Sequence, residues 1–463
     1  MKRPNILFVF SDQHRFCDLG YAGNPEVETP NLDSLAREGA HFTHAYTSCP
    51  LCVPARGTLL TSLHALRHGA AANDMAIKND CTSVAHVLTG AGYNTAYIGK
   101  WHLGGVPRNQ FITKERRLGF EYWRGCECNH NYLSAYYDDN DNVRHLIDGY
   151  EPITQTNLAI EYMEQQKQSE RPWALWLCFS TPHSPYLALP EGEAERYLDR
   201  DLTLRPNVQP IRFEDTLNGR KKVPDLKKCY AGYSAHIRQI DIQIGRLIEY
   251  LKQNGQYENT IFIYTSDHGD MLGSHGHLNK QLYYDESVRI PFLLSWPGHV
   301  PGGRREQLLS IIDISPTLLG LLGLRFENEI DGTDCSRVLQ NPVVKGQDFI
   351  YSYSYVPCHQ AMFREVRSWR AIINQRFTLA ADQNRVPICL YDRQNDALQQ
   401  KNVADAPEYS AIREELLVAL DEQVSVHDGY KPWQQLLDEA GRLPEWDRSE
   451  EHFRRLWKWY KGI

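Results

Sequence analysis

The chain is 463 residues long, 42% hydrophobic and 23% charged, ordinary values for a globular protein that exclude a disordered chain or a fibre. Fifty Lys and Arg against 58 Asp and Glu give a net charge of −8. Such a surface is a poor partner for nucleic acid or an anionic membrane, and an anionic ligand has to meet a local cluster of cations or a metal.

No apolar run approaches the roughly 18–20 residues of a spanning helix. The 11 cysteines, odd in number and scattered, do not suggest a disulfide framework. After Met1-Lys2-Arg3-Pro4 the chain enters a six-residue apolar run, too short for the core of a signal peptide, and no small-residue cleavage site follows. As written, the chain is expected to be cytoplasmic, or periplasmic if its N-terminus was trimmed.

In chain order, residues 6–10 read as a buried strand, 31–38 as a helix, 95–98 as a strand, 153–166 as a helix and 174–179 as a strand. A long helix is predicted over 229–253, with Tyr230, Tyr233, Ile237, Ile240, Ile244, Leu247 and Leu251 at three- and four-residue steps on one core-facing stripe. Strands at 260–264 and 291–295 and a helix at 315–322 follow. This alternation predicts an α/β fold: a large, mostly parallel sheet sandwiched by helices. After about residue 345 the pattern changes. Antiparallel strands at 368–373, 377–380 and 389–391 and a helix at 410–422 predict a smaller C-terminal α+β domain, so the division expected is 1–345 and 346–463. The tail holds Trp433, Trp446, Trp457 and Trp459, an aromatic load that should pack back onto the body.

Ligands of open α/β sheets gather at the carboxyl ends of strands. Two predicted strands end in polar clusters, Ser11-Asp12-Gln13-His14 and Ser266-Asp267-His268-Gly269-Asp270. Asp12, Gln13, Asp267 and His268 offer two carboxylates, an amide oxygen and an imidazole, a set suited to a hard cation such as Ca²⁺ or Mg²⁺, with Mn²⁺ also fitting. The plain alternative is that these residues cap turns. In Cys49-Pro50-Leu51-Cys52-Val53-Pro54-Ala55-Arg56, Pro54 places Cys52 near a helix N-terminus, where negative charge is favoured, and Arg56 adds a fixed cation.

Cys52-Val53-Pro54-Ala55-Arg56 resembles the Cys-x-Pro-x-Arg signature of the type I, formylglycine-dependent sulfatases of the alkaline-phosphatase-like superfamily. The likeness extends in order through Arg3 to Gln13, Thr29 to Ala36, Tyr97-Ile98-Gly99-Lys100-Trp101-His102-Leu103-Gly104, Pro182-His183-Ser184-Pro185 and Tyr264 to Lys280. Five matches in family order carry far more weight than the short signature alone. Gln13 stands where many members have Asp, His268 where many have Asn, Ala55 where Ser is frequent and Ser62 where Gly is frequent.

The resemblance implies that Cys52 is oxidised to formylglycine by a separate formylglycine-generating maturation enzyme. It implies that Asp12, Gln13, Asp267 and His268, with residue 52, hold the metal. The hydrated aldehyde would attack the sulfur of a sulfate ester, of a carbohydrate or another small alcohol, and its second hydroxyl would then expel sulfate. Arg56, Lys100 and His102 resemble the residues that orient the hydrate, and His183 and Lys280 those that bind sulfate and protonate the leaving alkoxide. His14, Asp270, His275 and His277 read as supporting or structural. Cys126, Cys128, His130, Tyr132, Tyr136 and Tyr137 read as a pocket rim or, equally, as a surface loop, and His359 and Arg364 as candidates for the substrate rim.

The closest rival is a phosphonate monoester or phosphodiester hydrolase using the same site. A redox or zinc role for Cys49/Cys52 with Cys126/Cys128 is a weaker rival, because the one-residue spacing of the second pair is atypical. A non-catalytic relative is disfavoured because no recognisable catalytic position is missing. Substrate identity and oligomeric state are not encoded in these motifs.

Overall fold

A computed structural model describes residues 3–212, 215 and 223–461. Its centre is a ten-stranded mixed sheet built from β1 (Asn5–Asp12), β2 (Ala40–Tyr46), β3 (Asn94–Lys100), β4 (Tyr122–Cys126), β5 (Tyr136–Asp138), β6 (Arg144–Leu146), β7 (Trp173–Pro182), β8 (Thr260–Ser266), β9 (Phe292–Ser295) and β10 (Gly303–Ser310). The order across the sheet is β10-β2-β9-β8-β1-β7-β3-β4-β5-β6. The run β8-β1-β7-β3-β4 is parallel throughout, while β9 and the short β5 and β6 pair antiparallel.

The helices of nine or more residues among those described are α1 (Pro30–Glu38), α2 (Cys52–Thr61), α3 (Glu151–Gln165), α4 (Leu226–Gln253), α5 (Ile311–Leu321), α6 (Ser410–His427) and α7 (Leu443–Lys461). They cover both faces of the sheet, and β1 shows why. Ile6, Phe8 and Phe10 enter one core with Val53 and Leu59 of α2 and Ile314 and Leu318 of α5. Leu7 and Val9 enter the other with Leu32 of α1, Leu158 of α3 and Ile240, Ile244 and Leu247 of α4. A strand buried on both sides reads as a continuous apolar run, as residues 6–10 do.

The apolar stripe of α4 is buried along its whole length. The strand expected at 291–295 is present, but it pairs antiparallel on both sides, so the sheet is mixed rather than uniformly parallel. The C-terminal region forms a four-stranded antiparallel sheet, β11 (Ile350–Ser354), β12 (Trp369–Ile373), β13 (Phe377–Ala381) and β14 (Pro387–Asp392), in sequential order. Helix α6 packs on it through Leu416, Leu417, Leu420 and Val424. Trp433 and Trp446 pack against each other at 5.5 Å, and Trp446 is buried, so this part of the tail does fold back. The side chains of Trp457 and Trp459 lie outside the described residues. No helix among those described is long and apolar enough to cross a membrane.

Candidate active site

The topology assembles the site. Because β8, β1, β7 and β3 are adjacent and parallel, their carboxyl ends lie side by side, and each delivers a residue singled out from the sequence. β1 ends at Asp12, β8 is followed by Asp267 and His268, β7 by His183, and β3 ends at Lys100. Lys100 follows Gly99, whose φ is +105° and where a Cβ would lie 2.1 Å from the Cys178 carbonyl oxygen of β7, so only glycine lets the strands approach this closely. Cys52 is the first residue of α2 and is 1% exposed. At the other end of α2 Ser62 sits at φ +57°, which accounts for the frequent glycine there, and its hydroxyl compensates by donating to the Ile312 carbonyl at 2.7 Å.

Asp12, Cys52, Asp267 and His268 present ligand atoms that all lie within 4.8 Å of one another, and all four are buried. The Cys52 sulfur is 3.2 Å from His268 Nε2 and 3.7 Å from Asp12 Oδ1. His268 Nδ1 lies 2.9 Å from the Gly269 carbonyl, a bond in which it donates, leaving the Nε2 lone pair for the cluster. Asp267 Oδ1 accepts from the backbone N–H of Gln13 and of His268, each at 2.9 Å. Its Oδ2 is buried without a hydrogen bond, 3.4 Å from Arg56 Nε.

Burial and the neighbouring Asp12 carboxylate push Asp267 up to about 7 against the pull of Arg56. Burial would raise Asp12 too, but Lys100, His183, Arg56 and Lys280 hold it well below the carboxylate range. Two packed carboxylates, one oxygen of which has no hydrogen bond, and an imidazole nitrogen turned to the Cys52 sulfur form a donor set that fits a hard divalent cation. Cys49, Cys126 and Cys128 are not in this cluster, and no disulfide joins any of the described cysteines.

The cations brace the cluster. Arg56 Nη2 donates to Asp12 Oδ2 at 3.0 Å and Nη1 to the Lys100 carbonyl at 2.8 Å, while Lys100 Nζ, fully buried, donates to the same Asp12 oxygen at 2.7 Å. Lys280 Nζ donates to Gln13 Oε1, and Gln13 Nε2 to Asp270 Oδ2, both at 2.5 Å. Gln13 itself sits at φ +73°. Its amide oxygen faces Lys280 and its amide nitrogen faces Asp270.

Above the cluster opens a pocket of about 210 Å³, lined among others by Cys52, Lys100, His102, His183 and Lys280. Both ring nitrogens of His102 are buried without a hydrogen bond. Burial, with Lys100 and Arg108 nearby, keeps that imidazole neutral, its proton affinity far below normal. His183 is likewise held well below its ordinary value by burial and by Lys280, and its Nδ1 lies 2.7 Å from the Ser184 carbonyl.

The remaining candidates sort by contact. His130 and His359 line the pocket, His130 stacked on His183 at 4.6 Å. Cys126 and Tyr132 are buried behind it, the Tyr132 hydroxyl donating to the His183 carbonyl at 2.7 Å. Tyr136 and Tyr137 lie in β5. His14 and His275 are structural: His14 bonds the Tyr264 hydroxyl at 2.6 Å, and His275 stacks on Tyr284 at 3.9 Å. His277 Nδ1 lies 3.2 Å from Asp215 Oδ2.

Arg364 is not on the substrate rim. It is 2% exposed, binds Asp215 through two nitrogens at 2.8 and 3.0 Å, and donates to the carbonyls of Leu278 at 2.8 Å and Lys280 at 2.7 Å. It therefore acts by fixing the loop that carries Lys280. Sequence reasoning missed Asn73, whose side chain accepts from the backbone N–H of Val53 in the first turn of α2, together with Asp74 and Arg108. It also read Tyr233 only as core, although its hydroxyl donates to the Gln13 carbonyl at 2.6 Å and accepts from the Arg15 N–H at 3.0 Å.

A buried acid–imidazole cluster beside a helix N-terminus, at the carboxyl ends of the central parallel strands of a mixed α/β sheet, is a site suited to hydrolysis of an anionic ester. The comparisons narrow the class. The sulfatase family model matches residues 4–324, and that of the C-terminal region of N-sulphoglucosamine sulphohydrolase matches residues 273–425. An ulvan-active sulfatase of Formosa agariphila is 35% identical over 437 residues, covering 91% of this chain and 81% of its own. Among solved structures, one from a study of glycosaminoglycan metabolism by Bacteroides thetaiotaomicron superposes with a TM-score of 0.79 at 27% identity, covering 96% of this chain and all of its own. The phosphonate monoester hydrolase of Agrobacterium radiobacter shares the fold, with a TM-score of 0.74 at 23% identity over 91% of this chain and 96% of its own. The chain belongs to the sulfatase family. It is a sulfuric ester hydrolase.

Proposed function

We propose that this sulfatase hydrolyses a sulfate ester of a carbohydrate or other small alcohol to the alcohol and inorganic sulfate, with residue 52 matured to formylglycine and a divalent metal, Ca²⁺ foremost, in the acidic cluster. The observation that carries this reading is the convergence of Cys52, Asp12, Asp267 and His268 within 4.8 Å beneath a pocket walled by Lys100 and Lys280. The Cys52 sulfur stands where an oxygen of the matured residue would lie. Formylglycine at position 52 would supply a hydrated aldehyde, a nucleophilic hydroxyl with a second hydroxyl on the same carbon. Asp12, Asp267, His268 and, once its amide oxygen turns from Lys280, Gln13 would hold the metal, which would supply Lewis acidity.

The chain's own groups do the rest. Arg56 and Lys100 hold Asp12 ionised and the base of the site rigid, so the charge that develops on the sulfate meets prearranged donors. Lys280 and Lys100 offer ammonium groups to the sulfate oxygens. His183 donates from Nδ1 to a fixed carbonyl, so its Nε2 is the atom free to carry a proton. An anion seated beside it offsets the repulsion of Lys280 and raises its proton affinity, which suits it to protonate the departing alkoxide. Neutral His102, its nitrogens unspent, is placed to relay a proton of the hydrate. Residues 1–345 carry this chemistry and 346–463 buttress it.

The test is the mass of the peptide containing residue 52, from protein made together with a formylglycine-generating enzyme, followed by a sulfate-ester screen. Conversion to the aldehyde and turnover of an aryl sulfate are expected. An unmodified thiol in the presence of active maturase overturns the mechanism. A second reading, a phosphonate monoester or phosphodiester hydrolase on the same groups, draws on the shared fold of the Agrobacterium enzyme. A kcat/KM for phosphonate far above that for sulfate would select it.

A further inference from the structure

One stretch of the pocket wall has no part in the chemistry above. Arg108, Asn73, His130 and His359 line it. Arg108 is gripped by Asp74 through two parallel hydrogen bonds, Nε to Oδ1 at 2.6 Å and Nη2 to Oδ2 at 2.9 Å. That pairing fixes the plane of the guanidinium and leaves Nη1 outside the fork.

The grip is itself supported. Asp74 is 3% exposed and adopts φ +69°, and its carbonyl accepts from the Ser449 hydroxyl of α7 at 2.6 Å. The Arg108 segment is tied down by Arg144, which donates to the Asn109 carbonyl at 2.9 Å, and by the Tyr136 hydroxyl on the Arg108 carbonyl at 3.4 Å. A surface arginine needs no such scaffold. Of the 13 described residues lining the pocket, three are Lys or Arg, four are His and none is Asp or Glu. His130 and His359 are kept neutral by burial next to these cations, so they can serve hydroxyls without adding charge.

We propose that Arg108, oriented by Asp74, receives a second anionic group on the same sugar that carries the scissile sulfate, so that the favoured substrates are doubly anionic saccharide residues. The inference rests on the sulfate-ester reading of the site. The lysines and the acidic cluster take the sulfate that is cleaved. Arg108 adds a directed donor whose matching acceptor is a carboxylate or a second sulfate, the two being one chemistry from two sources.

The test compares kcat/KM of the matured enzyme on an aryl sulfate, a neutral hexose monosulfate, a hexuronate monosulfate and a hexose disulfate. The wild type should prefer at least one doubly anionic sugar over the neutral one by about tenfold or more, and the better of the two names the source. Arg108→Gln should lower kcat/KM on that sugar by about ten- to hundredfold, mostly through KM, and by a smaller factor on the neutral sugar. Arg108→Lys keeps a cation beside Asp74 and so guards against a folding defect, yet it loses the fork and should also lose most of the preference. Turnover of the aryl sulfate with no preference among the sugars, or a preference that survives in both variants, overturns this proposal alone. No turnover of any sulfate ester overturns the underlying reading with it.

Discussion

Arg364→Met offers the sharpest check on how the site is held together. Arg364 spends its donors on Asp215 and on the two carbonyls that flank Asn279, and nothing about it faces the pocket. Removing one partner of a buried, hydrogen-bonded ion pair costs about 3–5 kcal/mol, because the other charge stays behind. In a protein of this size that is a fall in melting temperature on the order of 3–5 °C. The released loop carries Lys280, so KM for an aryl sulfate should rise, and kcat/KM should drop by roughly tenfold or more, since misplacement by an ångström has large kinetic effects. Arg364→Lys should rescue little, one ammonium being unable to make four divergent bonds. Asp215→Asn combined with Arg364→Met should cost less than the sum of the single changes.

The pH dependence follows from Asp215. Burial raises its proton affinity, but the His277 contact and Arg364 outweigh this and hold the carboxyl below its ordinary range. The native state then binds fewer protons than the unfolded state near the ordinary carboxylate pKa of about 3.9. The stability gained is complete above about pH 5 and lost as the pH falls through 4 and below. The gap between wild type and Arg364→Met should therefore narrow in acid. Differential scanning calorimetry and steady-state kinetics across pH 3–8 read both effects. A melting temperature within about 1 °C of wild type, together with an unchanged KM, would refute the reasoning.

Three further outcomes are expected. Asp267→Asn should purify with well under one equivalent of divalent metal by elemental analysis, and full metal content would remove its ligand role. His183→Ala should slow alkyl sulfates, whose alkoxides need a proton, far more than activated aryl sulfates; an equal loss on both would contradict proton donation by Nε2. Tyr233→Phe removes the hydroxyl that joins Gln13 to Arg15 and should cost about 1 kcal/mol, with weaker metal retention on chelator titration. Unchanged retention would mean that the Gln13 loop holds itself.

The residues at strand ends were legible because chemistry and local structure coincide there: an apolar run stops and a polar cluster begins. That pattern exposed Asp12, Asp267 and His268 without knowledge of which strands were neighbours. Strands β2 and β10 escaped notice because histidine and arginine interrupt their alternation, AHFTHAY and GRREQLLS, and β10 lies at the sheet edge with Arg304 and Glu306 exposed. Arg108, Asp74, Asp215 and Arg364 were opaque for another reason. Each acquires its meaning from a partner 34 or 149 positions away, and no local periodicity records such a pairing. Tyr233 was legible as a core residue and illegible as a tether, since a helical stripe predicts where the ring goes and not what the hydroxyl meets.

The place of β1 at the middle of the parallel run bears on how the molecule is made. Ile6 pairs with Ala174 on one side and Ile261 on the other. A ribosome that has just released the first strand therefore has nothing to pair it with until more than a third of the chain has followed, and its second flank waits for residues near 260. Closing contacts of such long range makes folding slow. Cys52 shares this order: its thiol is enclosed by Asp12 at the end of β1 and by His268 just after β8, so its buried setting is complete only when residues more than 200 positions further on have been added.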